Sequence, residues 1–360
     1  MNTQQQDRSA AVHATAVDAR TPVLLITGFL GSGKTTLINR LLATPALERT
    51  LVLVNEFGQV SIDTDLITRR GETMIELSNG CVCCTLIDDL GTTLHGFVDR
   101  RLTGELPPFD RVLIETTGLA NAGPIIRVIQ EDERVVSHFA LDKVITTVDA
   151  VLGMKNLDLH AESVEQVALA DRLGLTKIDL LQTAGGLDTL RQRLHKLNPS
   201  AVIVESGGGL PELQALLGGR PVHDVRWPAA IPGAATSDHC GHDHAHDHDH
   251  LHNHDHAQHS VARHDAHISS ICIVREQPVP RRTLDDFWHK LTDLASPNLL
   301  RVKGLVHVVE LPNTPLVVQG VQHLFSTPLS LPEWPSEDRR TRIVFIGWNL
   351  DRAEIEALLP

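Results

Sequence analysis

"VLLITGFLGSGKTTLINRLLA", residues 23–43, decides how this chain is read. It opens on an apolar run of strand length and closes on an amphipathic helical segment. Between them "GFLGSGKT" meets the pattern G-x-x-x-x-G-K-[ST] at each required position. Gly28, Gly31 and Gly33 let backbone N–H groups curl around phosphate oxygens, and the following helix N-terminus adds its positive dipole. Ser32 and Thr36 belong to the same cradle. Lys34 is predicted to reach the β- and γ-phosphates, and Thr35 to offer its hydroxyl to magnesium. An ordinary glycine turn before a helix would not need all three features in register.

Outward from this loop, short apolar runs alternate with helical patterns across residues 21–225. "VLLIT" (23–27), "LVLV" (51–54), "RVLIE" (111–115), "KVITTV" (143–148), "RLGLT" (172–176) and "AVIVES" (201–206) read as buried strands. Such strands, separated by helices, predict an α/β P-loop NTPase with a mainly parallel sheet covered by helices. "WPAAIPGAATSD" then breaks the pattern, and residues 226–267 read as a linker carrying a His/Asp-rich tract. From 268 to 360 the runs "ISSICIVRE", "LLRVKGLVHVVE", "PLVVQGVQHLF" and "TRIVFIGWNL" are strand-like around one helix, "TLDDFWHKLTDLA". This predicts a smaller α+β C-terminal domain. Residues 1–20 read as a disordered arm without the apolar centre of a signal peptide.

Composition removes several classes of function. The formal charge of -13 argues against nucleic acid as a partner, because such binders carry a basic face. No apolar run approaches the roughly 20 residues that span a bilayer, so no membrane role is expected. The chain reads as cytoplasmic, and the sequence leaves its oligomeric state open, a homodimer included.

Two further segments suit a nucleotide. "VLIETTG" ends a strand in a carboxylate, Glu115, which suits the magnesium shell in this fold. Gly118 frees the backbone there to respond to a γ-phosphate. "TKID", 176–179, has the form of the guanine-reading element of GTP-binding proteins. Asp179 accepts from guanine N1–H and the 2-amino group, which adenine lacks, and the Lys177 stem packs along the base. Thr176 stands where asparagine is usual.

Five cysteines are present, and three cluster in "NGCVCCTL": Cys81, Cys83 and Cys84. Cys240 and Cys272 stand apart, so a disulfide framework does not fit. The following residues Leu86, Leu90, Leu94 and Phe97 have helical spacing, which puts the cysteines at a helix N-terminus, where thiolate is favoured. Three thiolates suit zinc with a fourth position open to water, a side chain or a partner's ligand. A redox pair and inert buried thiols are the alternatives. Of 21 histidines, 12 lie between His239 and His267. His242, His244, His246, His248, His250, His252, His254 and His256 alternate mostly with aspartates and predict an accessory tract for zinc, nickel or cobalt without fixed geometry. A plain spacer is the bland reading. His95 and His289 are read as surface or packing residues.

"GFLGSGKTTL", "NEFGQVSID", "NGCVCCTL", "ETTGLANAGPII" and "TKID", in this order, resemble the CobW-like metallochaperone GTPases, and "LLRVKG" and "VVQGVQHLF" resemble that family's C-terminal domain. The resemblance implies a GTPase that hydrolyses GTP while delivering zinc to a client protein, with GTP, Mg2+ and Zn2+ as its small-molecule partners. It implies that Gly28 to Thr36 bind phosphate and that Thr35, Asp63 and Glu115 serve magnesium. It gives the transferred metal to Cys81, Cys83 and Cys84, and puts Glu56 in a nucleotide-sensitive segment. Several relatives carry glutamate after "NEFG", where this chain has Gln59. A cobalt or iron insertion factor (cobalamin or nitrile hydratase type), a metal-storage protein and a small-molecule kinase are the competing readings. The intact loop and Asp179 count against storage, and Asp179 with the thiols against a kinase.

Overall fold

A computed structural model describes residues 20–54, 74–76, 85–181, 184–218, 268–295, 298–326 and 328–359. The first part is a seven-stranded sheet in the order β3-β2-β4-β1-β5-β6-β7, every pair parallel. Its strands are β1 (Thr21–Gly28), β2 (Thr50–Val54), β3 (Met74–Glu76), β4 (Arg111–Glu115), β5 (Phe139–Asp149), β6 (Arg172–Thr176) and β7 (Val202–Glu205). Helices α1 (Lys34–Leu42), α2 (Thr85–Leu102), α3 (Gly123–Glu131), α4 (Glu133–Val136), α5 (Gly153–Leu159), α6 (Ala161–Leu169), α7 (Ala184–Leu197) and α8 (Leu210–Leu217) alternate with them. β2, most of β4 and β6 are buried along their length, which is why they read as continuous apolar runs. The six expected strands are all present. β3 is an addition to them, because three residues are too short for a period to show.

Helix α2 begins at Thr85, directly after Cys84. Its Leu90, Leu94 and Phe97 are buried, as their spacing predicts. α8 ends over Lys143, whose ammonium donates to the carbonyls of Leu217 at 2.5 Å and Gly218 at 2.6 Å. That buried cation satisfies helix-end acceptors which no intrahelical N–H can reach. Burial lowers the pKa of Lys143, with Asp142 opposing the shift.

The second part is an antiparallel sheet of β8 (Ile268–Arg275), β9 (Leu299–Val308), β10 (Leu311–Val321), β11 (Leu324–Phe325), β12 (Leu329–Ser330) and β13 (Thr341–Trp348). It runs β11-β10-β9-β13-β8, with β12 beside β10. α9 (Arg281–Ala295) and α10 (Arg352–Leu358) cover one face, around Phe287, Phe345, Val302, Val306 and Ile355. Two expectations are corrected here. "PLVVQGVQHLF" is not one strand: Gln322 takes φ 54 and the chain turns back, pairing Gly320 with Phe325 and Val321 with Leu324. The C-terminal part also has a second helix, α10, beyond the single one expected; Asp351 caps it, accepting from Ala353 and Glu354 N–H.

The other face of this sheet lies on the first part. Leu300, Val321, Val344 and Ile346 share one apolar core with Ile126, Ile129, Phe139, Ala168 and Leu169. Inside the contact, Asp171 pairs with both Arg301 and Lys303, all three nearly excluded from solvent. Among the described residues no helix is long and apolar enough to cross a membrane.

Candidate functional site

The carboxyl ends of the central strands converge on one edge, where open parallel sheets hold their ligands. β1 sits between β4 and β5. At this edge Ile26 is in register with Glu115, Gly28 with Thr147, and Asp149 with Thr176. Sheet register alone therefore gathers the phosphate loop, Glu115 and the "TKID" segment.

The loop leaves β1 through Gly28 at φ 145, where a Cβ would fall 2.2 Å from Thr147 Oγ1. Gly31 and Gly33 also have positive φ, 68° and 91°. Ser32 is buried and exchanges a 2.6 Å hydrogen bond with Thr147 Oγ1. Gly33 is the N-cap of α1, and no side chain caps it. The first-turn N–H donors, which a helix cannot satisfy internally, are left for an anion. Lys34 Nζ donates to the carbonyls of Gly28 at 3.0 Å and Phe29 at 3.4 Å, so its charge stays at the loop. Thr36 is exposed on the first turn of α1. The Phe29 ring stacks on His160, centroids 4.4 Å apart.

Glu115 ends β4 and is 2 % exposed. Thr35 Oγ1 donates to Glu115 Oε1 at 3.3 Å. A hydroxyl and a carboxylate in contact, both hard oxygen donors beside a phosphate cradle, suit Mg2+, which is held by one or two carboxylates plus substrate phosphates. The next residues are tied back to the sheet by Thr116 Oγ1 donating to Thr27 Oγ1 at 2.8 Å. Gly118 then packs directly on the phosphate loop. A Cβ there would lie 2.7 Å from Leu30 Cα and N. This glycine is required for close approach; its φ is not in the left-handed region, so the absence of a Cβ rather than backbone freedom is what the structure uses. The buried Gln166 of α6 steadies the same segment, donating from Nε2 to Gly118 O and Ala120 O, each at 3.2 Å.

The "TKID" segment is joined to the phosphate loop through its first residue. Thr176 Oγ1 donates to Ser32 O at 2.7 Å. Lys177 takes the left-handed conformation, φ 56, and its ammonium lies 2.7 Å from Asp149 Oδ2. Asp179 is exposed on a single 3-10 turn, Ile178–Leu180.

Of the residues expected from the sequence, Gly28, Gly31, Ser32, Gly33, Lys34, Thr35, Glu115 and Thr176 thus gather at the carboxyl edge of the sheet. Asp63, Glu56, Gln59, Cys81, Cys83, Cys84 and the tract from His242 to His256 lie outside the described residues. Among the described residues no group of three or more His, Cys, Asp or Glu could hold a metal. Three contributors escape a reading of the sequence: Asp149, His160 and Gln166. Asp149 has a signal, since "VITTVD" ends a strand in a carboxylate just as "RVLIE" does. Gln166 and His160 have none, because their contacts join segments distant along the chain.

Comparison with known proteins gives the family. Residues 22–205 match the CobW/HypB/UreG nucleotide-binding domain, and residues 268–360 match the cobalamin synthesis protein CobW C-terminal domain. The chain is 32 % identical over 335 residues to the zinc chaperone YjiA of Escherichia coli strain K12, covering 93 % of this chain and 96 % of that one. It is 33 % identical over 370 residues to the zinc chaperone CobW of Pseudomonas aeruginosa, covering 94 % and 90 %. The crystal structure of Zn(II)-bound YjiA GTPase from E. coli superposes with a TM-score of 0.64 at 27 % identity, covering 94 % of this chain and 98 % of that one. The chain therefore belongs to the CobW/HypB/UreG family, in the form that carries a CobW C-terminal domain.

Proposed function

We propose that this protein is a GTP-hydrolysing metallochaperone that binds zinc through Cys81, Cys83 and Cys84 and passes it to a client metalloprotein in the cytoplasm. One observation carries the GTPase part: the Thr35–Glu115 pair stands at the mouth of the uncapped α1, and Thr176 locks the guanine-reading segment to the same loop. In this reading Lys34 and the α1 N-terminus hold the phosphates. Thr35 and Glu115 would hold Mg2+, with Asp63 as the family resemblance implies, and the ion would supply charge neutralisation for phosphoryl transfer. Asp179 reads the guanine edge. The relatives named as zinc chaperones, and the zinc bound in the structure of one of them, support zinc as cargo. The clustered thiols suit a reducing compartment.

Gln166 and Gly118 hold the segment after Glu115 against the phosphate loop, while α2 starts directly after the thiols. Order in these segments responds to the γ-phosphate, and zinc affinity follows, as in other nucleotide switches. Zinc affinity measured with a non-hydrolysable GTP analogue, with GDP and without nucleotide should differ between states. Equal affinity in all three would overturn the coupling. Cys83→Ala should remove one tightly held zinc per chain, whereas deleting 239–267 should remove only weakly held metal. The His tract is then a local metal reserve feeding the thiol site.

A further inference from the structure

Asp149 is the last residue of β5, in register with Thr176 on β6. Its side chain is 3 % exposed, and neither phosphate nor magnesium binding uses it. Its two oxygens serve different partners. Oδ1 accepts from the N–H groups of Val151 at 2.8 Å and Leu152 at 3.0 Å, closing the turn after β5. Oδ2 accepts from Lys177 Nζ at 2.7 Å. The two strand ends are joined a second time by Ala150 N–H donating to Thr176 O at 2.9 Å.

We infer that Asp149 is a positioning residue for purine recognition, fixing the Lys177 side chain as a platform for the base. Lysine has four rotatable methylenes, and a half-exposed ammonium left to itself samples many rotamers. Here both ends of the side chain are fixed. The backbone end sits in a left-handed conformation uncommon for lysine, which persists only where its surroundings enforce it. The ammonium end is held by a buried carboxylate through a charge-assisted bond. The stem between them is stretched from the "TKID" turn to the end of β5, next to the turn that carries Asp179. It meets the base as ordered apolar surface, so less entropy is lost when a base lands on it. The pairing also neutralises the Lys177 charge, which leaves discrimination between guanine and adenine to Asp179.

The inference rests on "TKID" being the base-recognition segment. It separates platform from reader, and so gives them different signatures. Asp149→Asn keeps an oxygen for the Val151 and Leu152 N–H groups and turns an amide NH2 toward Lys177, releasing the ammonium. The Kd for GDP and the KM for GTP should both rise about tenfold, the order expected for one charge-assisted bond, while kcat at saturating GTP stays within about twofold. Lys177→Met retains the stem and loses the anchor, and should show the same loss. It also carries the test should Asp149→Asn fail to fold. The double variant should be no weaker than either single, because both remove one interaction. A Kd for GDP within about twofold of the parent in both single variants would overturn the inference. So would a double variant whose loss is the product of the two singles. Asp179→Ala distinguishes the base-reading assignment from the platform: it should erase the preference for GTP over ATP, which Asp149→Asn leaves in place. If Asp179→Ala keeps that preference while the Asp149 and Lys177 variants weaken binding as described, the platform stands and the reader lies elsewhere.

Discussion

At the scale of single residues the site is held by contacts that leave little slack. Gly118 is the sharpest case. Any side chain there must displace the backbone of Leu30 in the phosphate loop. Gly118→Ala is expected to cut GTP turnover at least about tenfold, as small misplacements of catalytic groups do. Gly118 is buried against that loop, so thermal stability should fall as well; a parent-like rate in a phosphate-release assay would refute this. Thr176 stands where asparagine is usual, and its hydroxyl still ties Ser32 O to β6. Thr176→Val keeps the shape and leaves a buried carbonyl without that donor, a loss of about 1–3 kcal/mol. Chemical denaturation should show the loss of stability, and GDP affinity should fall with it because the loop is freed. These residue roles are partly legible in the sequence. The phosphate-loop pattern names its own residues, since each spacing reflects a backbone that must wrap an anion. The partners of those residues are not legible, because Ser32–Thr147, Thr176–Ser32 and Lys177–Asp149 join positions far apart in sequence.

At the scale of elements, α6 is the piece that connects the nucleotide edge to the rest of the molecule. His160 at its N-cap stacks on Phe29, and Gln166 in its middle holds Gly118 and Ala120. Its C-terminal carbonyls are gathered by one buried amide: Asn198 Nδ2 donates to Val167 O, Ala168 O and Ala170 O at 2.8, 3.1 and 2.9 Å. Gln166→Leu fills the same space without the donor. It should lower stability by about 1–3 kcal/mol, the cost of stranding buried carbonyls, and slow GTP hydrolysis while sparing GDP affinity. Hydrolysis and GDP binding falling together would assign Gln166 to packing alone. The sequence can announce α6 through its period, but nothing in a helical period says which neighbour a buried glutamine faces. The same limit explains the hairpin at Gln322. An apolar run carries no mark where it folds back unless a glycine or asparagine stands at the turn, and here the left-handed residue is a glutamine.

At the scale of the whole molecule, the two sheets are joined by apolar packing and by a buried charge cluster. Burial alone would raise the Asp171 pKa; the Arg301 charge, and then Lys303, reverse this and hold the carboxyl at about 2. Burial pushes Lys303 down to about 8, with Asp171 opposing. The signs follow from linkage. The depressed carboxyl contributes stability that is present above the ordinary value of 3.8 and is lost as pH falls toward 2. The depressed ammonium means that between pH 8 and 10.5 the unfolded chain binds more protons at this group than the folded one. Its contribution therefore makes stability rise with pH across that window, and Lys303→Met should flatten the rise in denaturation curves taken at about pH 8, 9 and 10. Asp171→Asn leaves Arg301 and Lys303 buried without their counter-charge. It should cost about 3–5 kcal/mol, as breaking a buried pair does, and loosen the contact between the sheets, seen as new protease sensitivity near β9. A stability loss below about 1 kcal/mol would mean that apolar packing alone sets the orientation.

By itself the sequence determined the parallel sheet, the phosphate loop, the acid at the end of β4, the "TKID" segment and the helix that follows the cysteines. Each is a local pattern: a period, a glycine spacing, or a run of one residue type whose chemistry acts over a few residues. Tertiary structure alone decided that Arg301 and Lys303, two charges in a largely apolar strand, face Asp171 of the nucleotide-binding part. It also decided that Gln166 holds the loop after Glu115, and that Asp149 rather than solvent receives Lys177. Buried polar groups must find partners, and the partner is chosen by which strands the sheet order makes neighbours, a quantity that no local pattern contains.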